Sequence, residues 1–203
     1  MLRFSECKVK NLKKLNLNIL PGYSTKFYFK SIFLNDIRLK KTIISYYLKS
    51  LLEKQKLKIL YGLKESLIKK YLSSLRFKKN LNLNNLVNLR FDTFLYNIGF
   101  CSTIIQARQW IVHGHFNINL KKIKKPGFLI EKGNIISINP LSVSIINVCK
   151  LNLYVRYNTL SVFNLSSNVL ICANTLKSKL IDLNYIEHNY INFKDYLIKQ
   201  YYI

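Results

Sequence analysis

Apolar residues recur three and four positions apart in two stretches of the chain between residues 42 and 76. Spacing of this kind places the apolar side chains on one face of a helix. We therefore predict two amphipathic helices, with their junction at or near Gly62. The apolar positions are Ile43, Ile44, Tyr47, Leu48, Leu51 and Leu52, then Leu63, Leu67, Ile68, Tyr71, Leu72 and Leu75.

A second pair of helices is predicted further along the chain. The apolar positions Leu86, Leu89, Phe94, Leu95 and Ile98 mark one helix. Gly99 follows them directly, where a helix commonly ends on a glycine. Thr103 and Gln106 have the spacing of a capping box at the start of the next helix. That helix runs to about His113 and stops at Gly114.

After Gly114 the pattern changes to that of strands. The stretches "HFNINLKKI" and "NIISI" alternate or run apolar in strand fashion, and a Pro-Gly loop separates them. Residues 89–138 are thus predicted as helix, helix, strand, loop and strand. The β-branched residues of 143–155 predict further strands, and "YLIKQYYI" predicts a terminal strand.

The charge of the chain indicates a polyanionic partner. It has 33 Lys and Arg against 9 Asp and Glu, a formal net charge of +24. Such an excess repels itself unless a polyanion neutralises it, and Lys and Arg on nucleic-acid phosphates release counterions. A row of lysines is ordinarily a solvated face. Here the scarcity of acids favours a phosphate-facing surface on the first helical pair, made by Lys54, Lys56, Lys58, Lys69 and Lys70.

Other function classes fit less well. The acids are scattered, and no two have the spacing of paired catalytic carboxylates, so we predict no catalytic residues. The longest apolar stretches are interrupted by polar residues and fall short of the roughly 18 that a membrane span needs. The four cysteines form no C-x-x-C pair, so neither a zinc site nor a disulfide framework is predicted.

The only His-Gly-His of the chain, His113 to His115, admits three interpretations: a metal site, a general base or an RNA contact. No nearby Cys or acid completes a metal site, and nothing indicates a catalytic pocket. RNA contact is favoured, because Gly114 would let the backbone approach a phosphate closely. Arg108 either contacts phosphate or forms a salt bridge with Asp92.

The stretch "RFDTFLYNIGFCSTIIQARQWIVHGHFNIN" resembles the RNA-binding module named after small-subunit ribosomal protein S-four. The matching positions are Arg90, Asp92, Tyr96, Gly99, Phe100, Ser102, Gln106 to Gln109, His113 to His115, Ile118, Asn119, Ile123, Pro126, Gly133, Ile135 and Ile136. In the family an aliphatic residue usually stands where Trp110 is, so we expect Trp110 to lie in the core rather than stack on a base. Pseudouridine synthases and free RNA-binding factors share the module.

The surroundings of the module favour the ribosomal protein itself. Residues 53–57, "EKQKL", with Tyr61-Gly62, are similar to the segment that precedes the module in that family, and "YLIKQYY" is similar to its closing strand. Two features depart from the pattern. Only Cys7 stands where bacterial members often cluster zinc-binding cysteines, so no metal is carried over. Asn119-Leu120 replaces the usual Asn-Gly, which suggests a looser hairpin loop through Lys121 and Lys122.

The resemblance implies an α+β fold in four parts. Residues 1–41 would be a basic arm and 42–84 a helical domain. Residues 85–140 would be the module, with two short helices and a small antiparallel sheet, and 141–203 a strand-rich segment returning to the helical domain.

The resemblance also implies a structural constituent of the small ribosomal subunit that organises a multi-helix rRNA junction near the mRNA entrance. Its partners would be rRNA, neighbouring ribosomal proteins and mRNA, with no cofactor, small-molecule substrate or membrane. The alternative is an RNA-modifying enzyme or a free RNA-binding factor. The residues assigned to rRNA binding are Lys54, Lys56, Lys58, Lys69, Lys70, Arg90, Ser102, Thr103, Gln106, Arg108, Gln109, His113, Gly114, His115, Lys121 and Lys122.

The composition indicates an organelle origin. Lys, Asn, Ile and Leu are abundant, whereas there are only 6 Gly, 3 Pro and 1 Met, a bias that suits translation from an A+T-rich genome. We expect a mitochondrial protein, with a plastid or apicoplast as the alternative.

Overall fold

The computed structural model describes residues 45–77, 82–158, 169–172, 175–181 and 194–202. The predicted arm at 1–41 lies outside the described residues. The helices are α1 (Tyr46–Tyr61), α2 (Glu65–Phe77), α3 (Leu83–Asn88), α4 (Phe91–Ile98), α5 (Ile104–His113), α6 (Val143–Asn158) and α7 (Asp195–Tyr201). The strands are β1 (Phe116–Ile118), β2 (Lys121–Lys122), β3 (Ile135–Ile138), β4 (Val169–Cys172) and β5 (Lys177–Leu180). This mixture confirms the α+β prediction.

The described chain falls into two compact units. The helical unit holds the described residues up to Ser73 and those from Lys194 onward, and the sheet unit holds those from Ser74 to Ile181.

The helical unit is built on α1 and the helix that follows it. Ser45 caps α1, because its Oγ accepts a hydrogen bond from the Leu48 N–H at 3.3 Å. Gly62 ends α1 in the left-handed region with φ 54°. The predicted pair of helices joined at Gly62 is therefore confirmed over the described residues, and the predicted positions Ile43 and Ile44 lie outside them. Leu57 on α1 and Ile68 on α2 are fully buried.

The end of the chain is helical, so the prediction of a terminal strand was wrong. α7 packs against α1, with Leu197 and Ile198 buried and the rings of Tyr47 and Tyr201 stacked 5.7 Å apart. Adjacent buried residues do not alternate as a half-buried strand requires, and burial against α1 favours the helix.

In the sheet unit, the single helix predicted over Leu86 to Ile98 is instead two helices, α3 and α4. α3 and α4 are separated at Leu89 and Arg90, where Arg90 takes an extended conformation with φ −65° and ψ 143°. Arg90 forms a β-bridge with Leu129, which competes with continuation of the helix. Gly99 then ends α4 with φ 100°, as the sequence predicted.

The five strands form one antiparallel sheet with the order β2-β1-β3-β5-β4. Ile118 of β1 lies opposite Ile136 of β3, and Ile136 lies opposite Ser178 of β5. The side chains on this inner face pack against α4, α5 and α6 in a single hydrophobic core. Phe116, fully buried, stacks on Phe100 with ring centroids 6.4 Å apart.

Residues 143–158 are helical, so the strands predicted over 143–155 were wrong. Ile145, Cys149 and Leu153 recur every four residues on α6, and all three are buried in the core. β-branching is a weak local preference, which this tertiary packing overrides. Among the described residues of the C-terminal segment, the strand-rich prediction holds for β4 and β5.

The β1–β2 hairpin is tight, so the expected looser loop was also wrong. Ile118 pairs with Lys121 across a two-residue turn at Asn119 and Leu120, whose φ angles are 48° and 68°. Both are positive, as a type I′ turn requires. The Asn119 amide fixes the turn, because it accepts from the Ile135 N–H at 2.8 Å and donates to Asn134 at 3.0 Å. In the described residues no helix is long and apolar enough to cross a membrane.

Candidate nucleic-acid interface

A buried carboxylate organises the start of the module. Asp92 is 0% exposed and accepts hydrogen bonds from Arg90 Nε and Nη2 at 3.0 and 2.9 Å. Arg108 Nε donates to the same carboxylate at 2.7 Å. A buried charge is tolerated only when it is paired in this way. Of the two alternatives for Arg108, the salt bridge with Asp92 is present. Arg90 is 5% exposed and therefore lies inside the unit rather than on the predicted surface.

The N-terminus of α5 is closed by side chains. Thr103 Oγ1 accepts from the Gln106 N–H at 3.1 Å, as the capping box predicted. The Gln106 amide oxygen, however, accepts from the N–H and the hydroxyl of Ser102, at 2.9 and 2.8 Å, rather than from Thr103. Ser102, which precedes the N-cap, and Gln109 on the helix are exposed. Ser102 and Gln109 therefore remain accessible to a ligand, while Thr103 and Gln106 mainly build the helix end.

Two imidazoles and one lysine lie together at the C-terminus of α5. The rings of His113 and His115 stack 6.0 Å apart, on either side of Gly114 with its φ of 76°. His115 Nδ1 lies 2.7 Å from Ser142 Oγ. Burial lowers the pKa of His115, and electrostatic interaction with His113 and Lys122 lowers it further.

Lys122 lies against Gly114. A Cβ placed on Gly114 would overlap the Lys122 Cε, and Gly114 is buried. The stem of Lys122 covers the glycine, so a phosphate reaches the Gly114 backbone only where this flexible side chain moves aside. The approach of a phosphate to Gly114 stays a prediction. The side chains of Lys121 and Lys122 are exposed.

Trp110 is half-buried and packs on the core, with its ring 6.4 Å from that of Phe116. The expectation that it is a core residue is confirmed.

The lysines of the helical unit divide into two groups. Lys54 is 6% exposed, with Nζ 2.9 Å from Glu65 and 3.8 Å from the centroid of the Tyr201 ring. Burial lowers the pKa of Lys54, but Tyr201 and Glu65 outweigh burial and raise the pKa above its ordinary value. The prediction that Lys54 lies on an exposed face is therefore wrong.

The other lysines of the helical unit are more accessible. Lys56 is half-buried and pairs with Glu53 at 2.7 Å, whereas Lys58 is 4.0 Å from Glu65. Lys69 and Lys70 on α2 are exposed, as predicted.

Comparison with known proteins decides the family. Residues 89–136 match the S4 domain. A small ribosomal subunit protein uS4c from Eimeria tenella is 42% identical over 100% of this chain and 99% of its own length. The uS4c protein from Toxoplasma gondii is 40% identical over 96% of each chain, and uS4 from Aquifex aeolicus is 42% identical over 51% of this chain and 50% of its own.

The chain belongs to the uS4 family of small ribosomal subunit proteins. Members of the uS4 family are structural proteins of the ribosome and not enzymes, which confirms the expectation of a non-catalytic protein. The relatives with the highest coverage carry the plastid-type name uS4c. This supports the plastid alternative, and the preference for a mitochondrion is not supported.

Proposed function

We propose that this uS4 protein is a structural constituent of the small subunit of a plastid-type ribosome, in a plastid or apicoplast. It binds small-subunit rRNA without chemistry, through charge and shape. The family, the S4 domain and the net charge of +24 support the proposal.

The basic group at the end of α5 carries the proposal. His113, His115 and Lys122 surround the turn at Gly114, inside the segment that matches the S4 domain. RNA helices are recognised mainly through phosphates, 2′-hydroxyls and shape. An ammonium group contacts phosphate as a point charge, and imidazoles donate to phosphate or hydroxyl oxygens.

The burial of the assigned residues separates two roles within the proposal. The exposed side chains would contact rRNA, and the buried ones would hold the surface in shape. Arg90, with Asp92, positions Arg108, while Thr103 fixes the start of α5. The side chains assigned to direct contact are Lys69, Lys70, Ser102, Gln109, His113, Lys121 and Lys122.

The proposed consequence for the ribosome follows from charge neutralisation. Helices that meet at an rRNA junction repel each other through their phosphates. A protein with 33 basic residues placed against the junction removes part of that repulsion, which allows the helices to pack. We assign the protein to a multi-helix junction near the mRNA entrance, where neighbouring ribosomal proteins and mRNA are its further partners.

Co-sedimentation of the full chain with small ribosomal subunits tests this function. The protein should sediment with the small subunit at low salt and be released as salt rises. Joint replacement of Lys121, Lys122 and His113 by Gln should lower the salt concentration of release, whereas Lys150→Gln on α6 should not. Sedimentation apart from the subunit at low salt would contradict the proposal and would favour a free RNA-binding factor.

A further inference from the structure

The outer face of the sheet, opposite the core, carries lysines on two of its five strands, β2 and β5. Asn117 of β1 lies opposite Lys122 of β2 and Ser137 of β3. Lys179 of β5 lies opposite Ile135 of β3 and Leu170 of β4, and Cys172 of β4 lies opposite Lys177. Directly paired residues project to the same side of a sheet. We call this side of the sheet the outer face. It carries Lys122, Asn117, Ser137, Ile135, Lys177, Lys179, Leu170 and Cys172.

Lys177 and Lys179 extend the basic surface well beyond the module. Both are exposed, while Ser178 between them is buried on the inner face. Continuing the register of β3 and β5 brings Lys177 beside Ser137. Three strand spacings separate β2 from β5, which places the backbones of Lys122 and Lys177 about 14 Å apart. The five strands contain no Asp or Glu to offset these charges.

The outer face is continuous with the histidine turn. The Asn139 N–H donates to the His115 carbonyl at 2.8 Å, which extends the pairing of β1 with β3 by one residue. Side chains alternate along a strand, so His115 lies on the same side as Asn117, with Phe116 buried between them. Lys122 reaches over Gly114 between the two histidines. His115 and Lys122 therefore lie on the same side of the sheet as Lys177 and Lys179, with the neutral Asn117 and Ser137 between Lys122 and Lys177.

We infer that the outer face binds the phosphate backbone of rRNA and that Lys177 and Lys179 are contact residues. This rests on the proposed function and enlarges its site, because both lysines lie outside the segment 89–136 that matches the S4 domain. An unopposed row of lysines fits a polyanion. The exposed side chains of Ile135 and Leu170, which flank Lys179, add an apolar surface for riboses or unstacked bases.

These two lysines were not among the residues predicted to bind rRNA. Residues 143–155 were predicted as strands in place of α6, so the neighbours of β5 were not predicted either. The signal was the alternation of "KSKL", with Lys177 and Lys179 on one face and Ser178 and Leu180 on the other. That alternation shows which residues share a face, but not which neighbouring strands surround them.

The test compares the loss of two charges on the outer face with the loss of one charge elsewhere in the sheet unit. Lys150 is exposed on α6, which packs on the inner side of the sheet, so Lys150→Gln serves as the control, and half of the double variant's effect is the figure to compare with it. Binding of full-length variants to small-subunit rRNA is measured by filter assay over a range of salt. Each phosphate contact contributes roughly 0.7–0.9 to the slope of log K against log salt.

The double variant Lys177→Gln/Lys179→Gln should therefore make the slope of log K against log salt shallower by about 1.4–1.8. If its affinity extrapolated to 1 M salt equals that of the wild type, this change is about a 25- to 60-fold loss of affinity at 0.1 M salt. Lys150→Gln should change affinity less than twofold. The double Arg variant should bind like the wild type, since it keeps both charges. Thermal melts check that the variants fold equally.

The outcomes separate this inference from the function on which it rests. If the wild type binds with a steep slope and the double Gln variant matches Lys150→Gln, the outer face is not an rRNA surface, while the proposed function stands. A flat wild-type slope overturns both.

A second readout uses exposed Cys172, with Cys7 replaced by Ser. Hydroxyl radicals generated at a chelate on Cys172 should cleave bound rRNA locally, and absence of cleavage contradicts the inference.

Discussion

Replacement of Lys54 by Met should destabilise the helical unit. The substitution keeps most of the buried stem and removes the charge that faces Glu65 and the Tyr201 ring. A desolvated cation over an aromatic ring contributes about 0.5–2 kcal/mol. The Glu65 side chain is 43% exposed, so the ion pair is discounted to about 0.2–1 kcal/mol. The expected loss is therefore about 1–3 kcal/mol.

Amide hydrogen exchange in α1 and α7 is the appropriate assay, since it reports local opening of the helical unit within the full chain. A loss of about 1–3 kcal/mol corresponds to roughly 5- to 150-fold faster exchange. Lys70→Met on α2 is the matched control, because Lys70 is exposed and such substitutions usually stay within about 0.5 kcal/mol. If both variants exchange alike, the contacts of Lys54 do not stabilise the unit and the reasoning fails.

Three further predictions follow from local geometry. Leu120→Gly should stabilise the protein by about 0.5–1 kcal/mol in urea denaturation, because Leu120 is held at φ 68° and is 90% exposed; destabilisation would contradict the tight turn. Gly114→Val should weaken rRNA binding in filter assays more than His113→Ala, because φ 76° disfavours a β-branched residue and the new side chain displaces Lys122; the reverse order, with both variants folded, would contradict this. The hydrogen bond from Lys54 lowers the pKa of Glu65 below its ordinary 4.5. The ionised Glu65 therefore stabilises the fold above its unfolded pKa, and this stabilisation is lost as pH falls through the lower folded pKa. The Glu65→Gln variant should lose less stability than the wild type between about pH 6 and 3, measured by urea denaturation.

Local signals in the sequence predicted the helix ends well. Gly62, Gly99 and Gly114 each end a helix with positive φ, and Thr103 caps α5. These features depend on a few neighbouring residues, so spacing alone reveals them. The prediction of a looser loop at Leu120 was wrong because the turn does not depend on neighbouring residues alone. Hydrogen bonds to residues of β3 and its preceding loop hold a conformation that leucine resists.

The errors elsewhere come from contacts between distant parts of the chain. Lys54 has the sequence signature of a solvated lysine, yet it is buried against Tyr201, almost 150 residues later. α6 has strand-like composition, and its buried positions Ile145 and Cys149 are explained only by the core that receives them. The basic character of the interface could be predicted from charge, but which lysines belong to it required the sheet register.

The salt dependence of binding between the full chain and its small-subunit rRNA tests the central claim most directly. At about 0.9 per contact, an assumed six to ten phosphate contacts predict a slope of about −5 to −9 for log K against log salt, or roughly a 10³–10⁵-fold loss of affinity between 50 and 200 mM. A nearly flat slope, or equal affinity for an unrelated RNA at every salt concentration, would contradict an rRNA-binding protein that acts through charge and shape.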